Sequence, residues 1–431
     1  MKIGVQALQT LPGVLLHRLK QAGELADRSE TVLYLVGGAA RDALSGIATT
    51  DADLMVEGDG IAFAKRLTVL LNATCRSHLR FGTATLTFAD GSKIDVAMAR
   101  SEQYLAPAAL PVVQPGLVKA DLFRRDFTVN AIAICLNAKR YGLVVDPHGG
   151  IKDLQTGVIR ILHDRSFIDD PTRLFRAVRF EQRLGFRLER HTAQLFREAI
   201  AQGMIDRLSG HRVLEQLRTV FAEKYPCQVI ERLGALGVLR AVYPALDAGE
   251  LVSRIFERLS TKRQEMALDS ETFFVLGLLG LAVPLSAKTV QKLTERLHPD
   301  RRTVEALKNL PDMKTLTEGV VADRITTRAG FFEHARRLSP DTGLFFALTS
   351  DHPVVRTCCE TYYFTDRHVR LSIDGNTLSE LGIPEGPVYG RILDSVLAAK
   401  IDGVVLSADD ERHRALTVWK TLETRIIAPD I

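Results

Sequence analysis

The sequence predicts an α+β protein, with a head of short strands and helices over roughly the first 150 residues and helices from there to the end. Two observations carry this reading. Up to "VVDPHGGIKDLQTGVIRIL" short apolar runs alternate with stretches of helical periodicity. Beyond it strand signals nearly vanish, and from Pro171 one amphipathic segment follows another. No internal repeat at a fixed period and no low-complexity tract interrupts the pattern.

Taken in order, residues 13–28 ("GVLLHRLKQAGELADR") have the spacing of a helix with one apolar face. "TVLYLVGG" reads as a buried strand running into a glycine turn, and "DADLMVEG" as a second strand. "GIAFAKRLTVLL" has helical spacing, and "FGTATLTF", "GSKIDVAMAR" and "AIAICLN" read as further strands. In "DDPTRLFRAVRFEQRLGF" (169–186), Asp169 and Asp170 before Pro171 mark a helix start, with acids at the positive end of the dipole.

The net charge of +4 permits a polyanionic partner without requiring one. Five cysteines without CxxC spacing and eleven scattered histidines form no zinc pattern, and the odd cysteine number fits a reducing compartment. The apolar run "FFVLGLLGLAVPL" (273–285) is too short for a membrane span and contains a proline. With no secretory signal read at the start of the chain, these features point to the cytoplasm and to no membrane partner.

Several clusters can carry chemistry. Asp51 and Asp53 point the same way on an alternating strand, where two carboxylates can bridge divalent cations or be ordinary strand-edge acids. Asp95 falls inside an otherwise apolar strand, a placement that costs burial energy unless the carboxylate is paired or metal-bound. A third acid from a neighbouring strand would complete a two-metal site. Gly37 and Gly38 leave backbone N–H groups open to an anion, and Arg41 can add a bidentate phosphate contact. This is neither GxGxxG nor GxxxxGK[ST], so dinucleotide-fold and P-loop readings fail at the residue level. "DLFRRDFTVNA" groups Arg124, Arg125, Asp126 and Asn130, as a surface ion pair or as a ribose and phosphate contact. Helical steps from Arg173 bring Arg176, Arg179 and Arg183 into one arc, with Glu181 opposite, as a solvated face or a track for a nucleic-acid backbone. Asp170 and Arg173, about a turn apart, could accept from and donate to the edge of a base.

Together, "YLVGGAARDALSG…DADLMVEGDG", "KIDVAMARSEQY", "DLFRRDFTVNAIA", "DPHGGIKDL" and "DDPTRLFRAVRFEQRLGF" resemble the class II tRNA nucleotidyltransferase and bacterial poly(A) polymerase family. The resemblance implies a polymerase-β-like head followed by an all-helical neck, body and tail. The corresponding segments are an N-terminal helical arm (1–28), the head (29–150), a neck carrying the base-selecting helix (151–205), a body (206–330) and an RNA-binding tail (331–431). It assigns Gly37, Gly38 and Arg41 to the triphosphate, Asp51 and Asp53 to metal, and Asp95 to them as a helper acid. It assigns Arg125, Asp126 and Asn130 to the ribose, and Asp170 with Arg173 to base selection. Arg212 and Glu215 match the motif that braces the neck helix, while Arg176, Arg179 and Arg183 are expected in bracing or RNA contact.

The resemblance further implies a template-independent transfer to the tRNA 3′ end, using two Mg²⁺ ions and ATP, with CTP as a further substrate of some members. "LAPAALPVVQPG", "VEGDGIAFAKRL" and the tail "LGIPEGPVYGRILDSVLAAKIDG" look most like the branch that adds the terminal A. Full CCA addition and poly(A) tailing are the other activities the family offers. An inactive RNA-binding module is the reading from another class, and the intact pair of acids at 51 and 53 argues against it.

Overall fold

The computed structural model describes residues 3–78 and 82–427. It divides into two compact units, the first made of residues up to Gln216 with Ala235–Val242, the second of Leu217–Gly234 with the chain from Tyr243 onward.

The first unit holds the sheet. Its strands are β1 (Val32–Val36), β2 (Ala52–Glu57), β3 (Thr74–His78), β4 (Thr83–Thr87), β5 (Lys93–Met98), β6 (Arg100–Gln103), β7 (Val112–Pro115), β8 (Ala133–Cys135), β9 (Val144–Val145), and the parallel pair β10 (Val158–Ile159) and β11 (Arg187–Leu188). Seven of them form one mixed sheet in the order β3-β4-β5-β2-β1-β8-β9, while β6 and β7 pair as a separate hairpin. Only β2 and β5 run parallel within the large sheet. The helix between them, Gly60–Leu71, makes that crossover possible. Asp59 caps its start, accepting from the N–H groups of Ile61 and Ala62.

Alternation along the strands separates two faces. Leu33, Leu35, Leu54, Val56, Leu86, Ile94 and Val96 face a core shared with Leu15, Leu19, Ala40, Phe63 and Leu67. Those partners lie on the helices Gly13–Arg28, Gly37–Leu44 and Gly60–Leu71. Tyr34, Val36 and Met55 belong to a smaller apolar cluster on the opposite face, with Leu122, Ala133 and Cys135. Register places Val36 opposite Asp53, Asp53 beside Asp95, and Asp95 opposite Thr85. The acids of β2 and β5 are therefore neighbours on the face that the three helices leave uncovered.

Two local expectations change. Gly37 and Gly38 open the helix Gly37–Leu44 directly after β1 instead of forming a free turn. Asp169 ends a short helix, Ser166–Asp169, and the long helix begins at Thr172, after Pro171. That helix, Thr172–Leu184, stops at Gly185, whose φ of 66° is the left-handed cap that glycine adopts without strain.

The second unit is helical throughout its described residues. The apolar run near 273 is the helix Ser270–Ala282, with every residue from Thr272 to Ala282 buried, so its hydrophobicity is that of a core helix. Two further clusters, around Met313–Cys359 and around Ile373–Ala415, complete its interior. No helix among the described residues is long and apolar enough to cross a membrane.

Candidate active site

A pocket of about 580 Å³ lies wholly within the first unit, and most of the expected site residues line it. Gly37, Gly38 and Arg41 come from the first helix after β1, and Asp51, Asp53 and Asp95 from β2, its approach and β5. Arg125, Asp126 and Asn130 come from the segment before β8, and Asp170, Arg173, Arg176 and Arg183 from the long helix and its entry. Residues more than 130 positions apart in sequence thus share one cavity.

Gly37 shows why a glycine stands at the junction. Its φ is 65°, and a Cβ there would meet Asp53 Oδ2 at 3.0 Å and the Arg125 guanidinium at 3.1 Å. The close approach brings a carboxylate and an arginine together over one backbone position.

Asp53 faces the cavity and is reached by solvent through it, while protein surrounds it on the other sides. Burial raises its carboxyl pKa, Arg125 and Arg41 oppose the shift, and the charges of Asp95 and Asp51 add to it. Asp51 is held by the Lys93 N–H at 2.9 Å. Asp95 departs from expectation: its strand is apolar on alternate residues only, and its own side chain is exposed and accepts from the Thr85 hydroxyl. No burial energy has to be offset there.

This donor set fits a hard divalent cation. Two carboxylates of one strand segment meet in a crowded, negatively charged corner whose protonation state a cation would reset. Among the described residues, no group of three or more His, Cys, Asp or Glu side chains is arranged to hold a metal. A cation there would need its other ligands from phosphate oxygens and water, which is how Mg²⁺ is commonly held.

The "RRDFTVN" segment is tightly organised. Arg41 is 3% exposed and donates through Nη1 to Asn130 Oδ1 at 2.7 Å and through Nε to Asp42 at 2.8 Å. Asn130 Nδ2 donates to Asp126 Oδ1 at 3.0 Å, which also accepts from the Phe127 N–H. Asp126 Oδ2 accepts twice from Arg176, at 2.8 and 2.6 Å. Burial works against the Asp126 charge, yet Arg176, Asn130 and the Phe127 N–H outweigh it and lower the carboxyl pKa. All four acceptor positions of the carboxylate are in use, so a ribose hydroxyl cannot be added without opening one of these bonds. Arg176, expected in neck bracing or RNA contact, is paired with Asp126.

The arginine arc is likewise uneven. Arg173 is buried and donates to the Ser166 hydroxyl at 2.6 Å and the Arg124 carbonyl at 2.7 Å. Arg183 is exposed at the pocket rim, and Arg179 lies 5.9 Å from the Phe180 ring centre. Glu181 is buried on the other side of the helix. Arg212, expected to brace the neck helix, donates to Asp170 Oδ1 at 2.7 Å and to the Ala108 carbonyl at 2.7 Å. Glu215 is exposed one turn further along, away from the pocket lining.

Sequence reasoning missed three contributors. Asp121, with no solvent exposure, accepts from Arg124 through Oδ1 and from Arg125 through Oδ2, each guanidinium donating twice. Glu102 gathers Arg100 and Arg124 on Oε1 and the Tyr104 hydroxyl on Oε2. Tyr104 lines the pocket itself. The Asp121–Arg125 spacing of four on a helical segment was the available signal for the first. Glu102 and Tyr104 lie on and just after a polar hairpin strand, β6, and carry no comparable signal.

Known proteins resemble this chain in sequence and fold. Residues 33–160 match the Poly A polymerase head domain. An A-adding tRNA nucleotidyltransferase of Halalkalibacterium halodurans is 40% identical across 93% of this chain and 92% of its own length. The chain belongs to the tRNA nucleotidyltransferase and poly(A) polymerase family. An A-adding tRNA nucleotidyltransferase of Geobacter sulfurreducens is 38% identical over 94% of this chain, which spans 47% of that longer relative. The complex structure of a CCA-adding enzyme with ATP superposes with a TM-score of 0.80 at 28% identity, covering 98% of this chain and 99% of that one. The α+β architecture, a mixed-sheet head followed by helices, is that of this family.

Proposed function

We propose that the protein adds AMP from ATP to the 3′ end of tRNA, completing the CCA end without a nucleic-acid template. The observation that carries this reading is the single pocket holding Asp51 and Asp53 at one corner, Gly37, Gly38 and Arg41 beside them, and Asp170 with Arg173 across from them. The curated relatives named as A-adding enzymes favour terminal A addition. CTP use, and with it full CCA addition, is the second reading, because the solved neighbours include CCA-adding enzymes, one of them in complex with CTP.

Asp51 and Asp53 would hold Mg²⁺, as two ions by the family pattern. Bound there, Mg²⁺ supplies charge neutralisation at the transferred phosphoryl group and lowers the pKa of the attacking hydroxyl. Asp95, one strand over, adds negative charge that keeps this corner selective for cations. Arg41 and the N–H groups at Gly37–Gly38 would orient the triphosphate, so that the 3′-hydroxyl meets the α-phosphorus in line and pyrophosphate departs toward them. Arg125 and Asn130 would frame the ribose, with Asp126 fixing Asn130 in place. Asp170 and Arg173 would read the edge of the base, and Arg212 would hold Asp170 in position. The helical residues 206–431 would supply the RNA surface. The reaction would take place in the cytoplasm.

Purified protein given tRNA ending in CC, ending in C, or lacking CCA, with each nucleotide separately, tests the reading. One A added to the CC-ended substrate alone is expected. CTP incorporation on the shorter substrates would select full CCA addition, long A tails on unrelated RNA would select poly(A) polymerase activity, and no incorporation would reject transfer altogether.

A further inference from the structure

A base read at its edge by Asp170 and Arg173 must also be held in plane, and edge contacts alone do not fix the tilt of a flat ring. Among the described residues, two aromatic rings line the pocket, Tyr104 and Phe180. Phe180 is 7% exposed and already covered. The guanidinium carbons of Arg176, Arg41 and Arg179 lie 5.4, 5.5 and 5.9 Å from its centre, and Phe127 packs edge-on at 5.8 Å. Its surroundings leave no face of matching size for a base.

Tyr104 is placed differently. It follows β6 and is half-buried at the pocket wall, close enough for the charges of Arg173 and Asp170 to act on its phenol. Its hydroxyl donates to Glu102 Oε2 at 3.2 Å, and Glu102 is itself held by Arg100 at 2.8 Å and Arg124 at 3.2 Å. The tip of the ring is thereby tethered to a network of charged groups, which limits how far the ring can swing. Burial is the main reason the hydroxyl pKa is pushed up to about 12, with Glu102 and Asp170 adding to it, so the ring stays neutral at working pH. A tethered, neutral, pocket-facing phenol has the properties of a stacking surface.

We propose that Tyr104 is the residue on which the base of the incoming nucleotide stacks while Asp170 and Arg173 read its edge. The proposal rests on the nucleotidyl-transfer reading of the pocket and adds a specificity-determining residue to it. Stacking on an aromatic side chain is worth a factor of roughly 5 to 100 per base.

Steady-state kinetics on the full chain with CC-ended tRNA test this. Tyr104→Ala is expected to raise the KM for ATP by roughly 5- to 100-fold while the KM for tRNA stays within about twofold. Tyr104→Phe, which keeps the ring and loses the tether, should bring the ATP KM back to within about threefold of wild type. Binding of 2-aminopurine riboside triphosphate without RNA gives an independent reading, since stacking quenches its fluorescence. Quenching by wild type and Tyr104→Phe but not by Tyr104→Ala is expected. An unchanged ATP KM in Tyr104→Ala, a rise in the tRNA KM instead, or a Tyr104→Phe protein as impaired as Tyr104→Ala would each overturn the assignment. Wild-type incorporation of AMP reads the transferase function separately, and the quenching needs no turnover, so the failure of one is distinguishable from failure of the other.

Discussion

Asp121 has no solvent contact, yet it takes two hydrogen bonds from each of two arginines that line the pocket. One buried carboxylate thus aims two cations whose own side chains are mostly shielded from water. Asp121→Asn keeps the shape and removes the charge, leaving one guanidinium with only a neutral carbonyl acceptor and turning an amide N–H group toward the other. Unfolding in urea is expected to show a loss of about 3 kcal/mol, the low end for a broken buried pair. The ATP KM should rise with it, and an unaltered KM would show that the arginines are held by other contacts. Asp53 behaves in the opposite sense. Burial and its acidic neighbours raise its folded pKa above the unfolded value. Its contribution to stability is therefore complete below the unfolded value and lost as pH rises through the folded one. Asp53→Asn should melt higher than wild type at neutral pH in the presence of a chelator. The gap should close below the ordinary aspartate value of about 3.9, and AMP transfer should be abolished throughout. A variant that melts at or below the wild-type temperature at neutral pH would contradict this account of the site.

At the scale of elements, the helix Thr172–Leu184 is tied to the segment before β8 through the Arg176–Asp126 pair at the pocket. Because Asp126 ionises at lower pH when folded, the pair stabilises fully above the unfolded pKa and ceases to do so as pH falls through the folded one. Arg176→Met should cost about 1–3 kcal/mol at neutral pH by leaving a buried carboxylate short of two donors. The loss should shrink on acidification, and a pH-independent loss would mean that packing, not charge, is what the arginine contributes. The elements were legible in the sequence to different degrees for physical reasons. β1 and β2 were visible as short runs of consecutive buried apolar residues, and β5 and the helix Gly60–Leu71 because one buried face imposes alternation or helical spacing. β3 and the β6–β7 hairpin were not, since their residues are partly exposed on both faces and leave no period to read. Within the pocket, Asp51, Asp53, Asp170 and Arg173 were legible because motif spacing carries them. Whether Arg176 would meet RNA or a carboxylate depended on a partner 50 residues away, which the helical period does not reveal.

For the molecule as a whole, the division into two units, each with its own apolar clusters, bears on how it unfolds. The pocket that holds Asp51 and Asp53 and its ionic network belong to the first unit alone. A ligand that binds only folded protein stabilises the part that holds it, by about 2.7 kcal/mol at a concentration a hundred times its dissociation constant. Calorimetry of the full chain is therefore expected to depart from a single two-state transition. ATP with Mg²⁺ should move one component upward and leave the other within error, because no pocket residue lies in the second unit. Asp53→Asn should suppress that shift without altering the component that ATP leaves in place. A single transition that ATP displaces as a whole would show instead that the two cores melt as one cooperative block, so that nucleotide bound in the head is felt through the helical remainder.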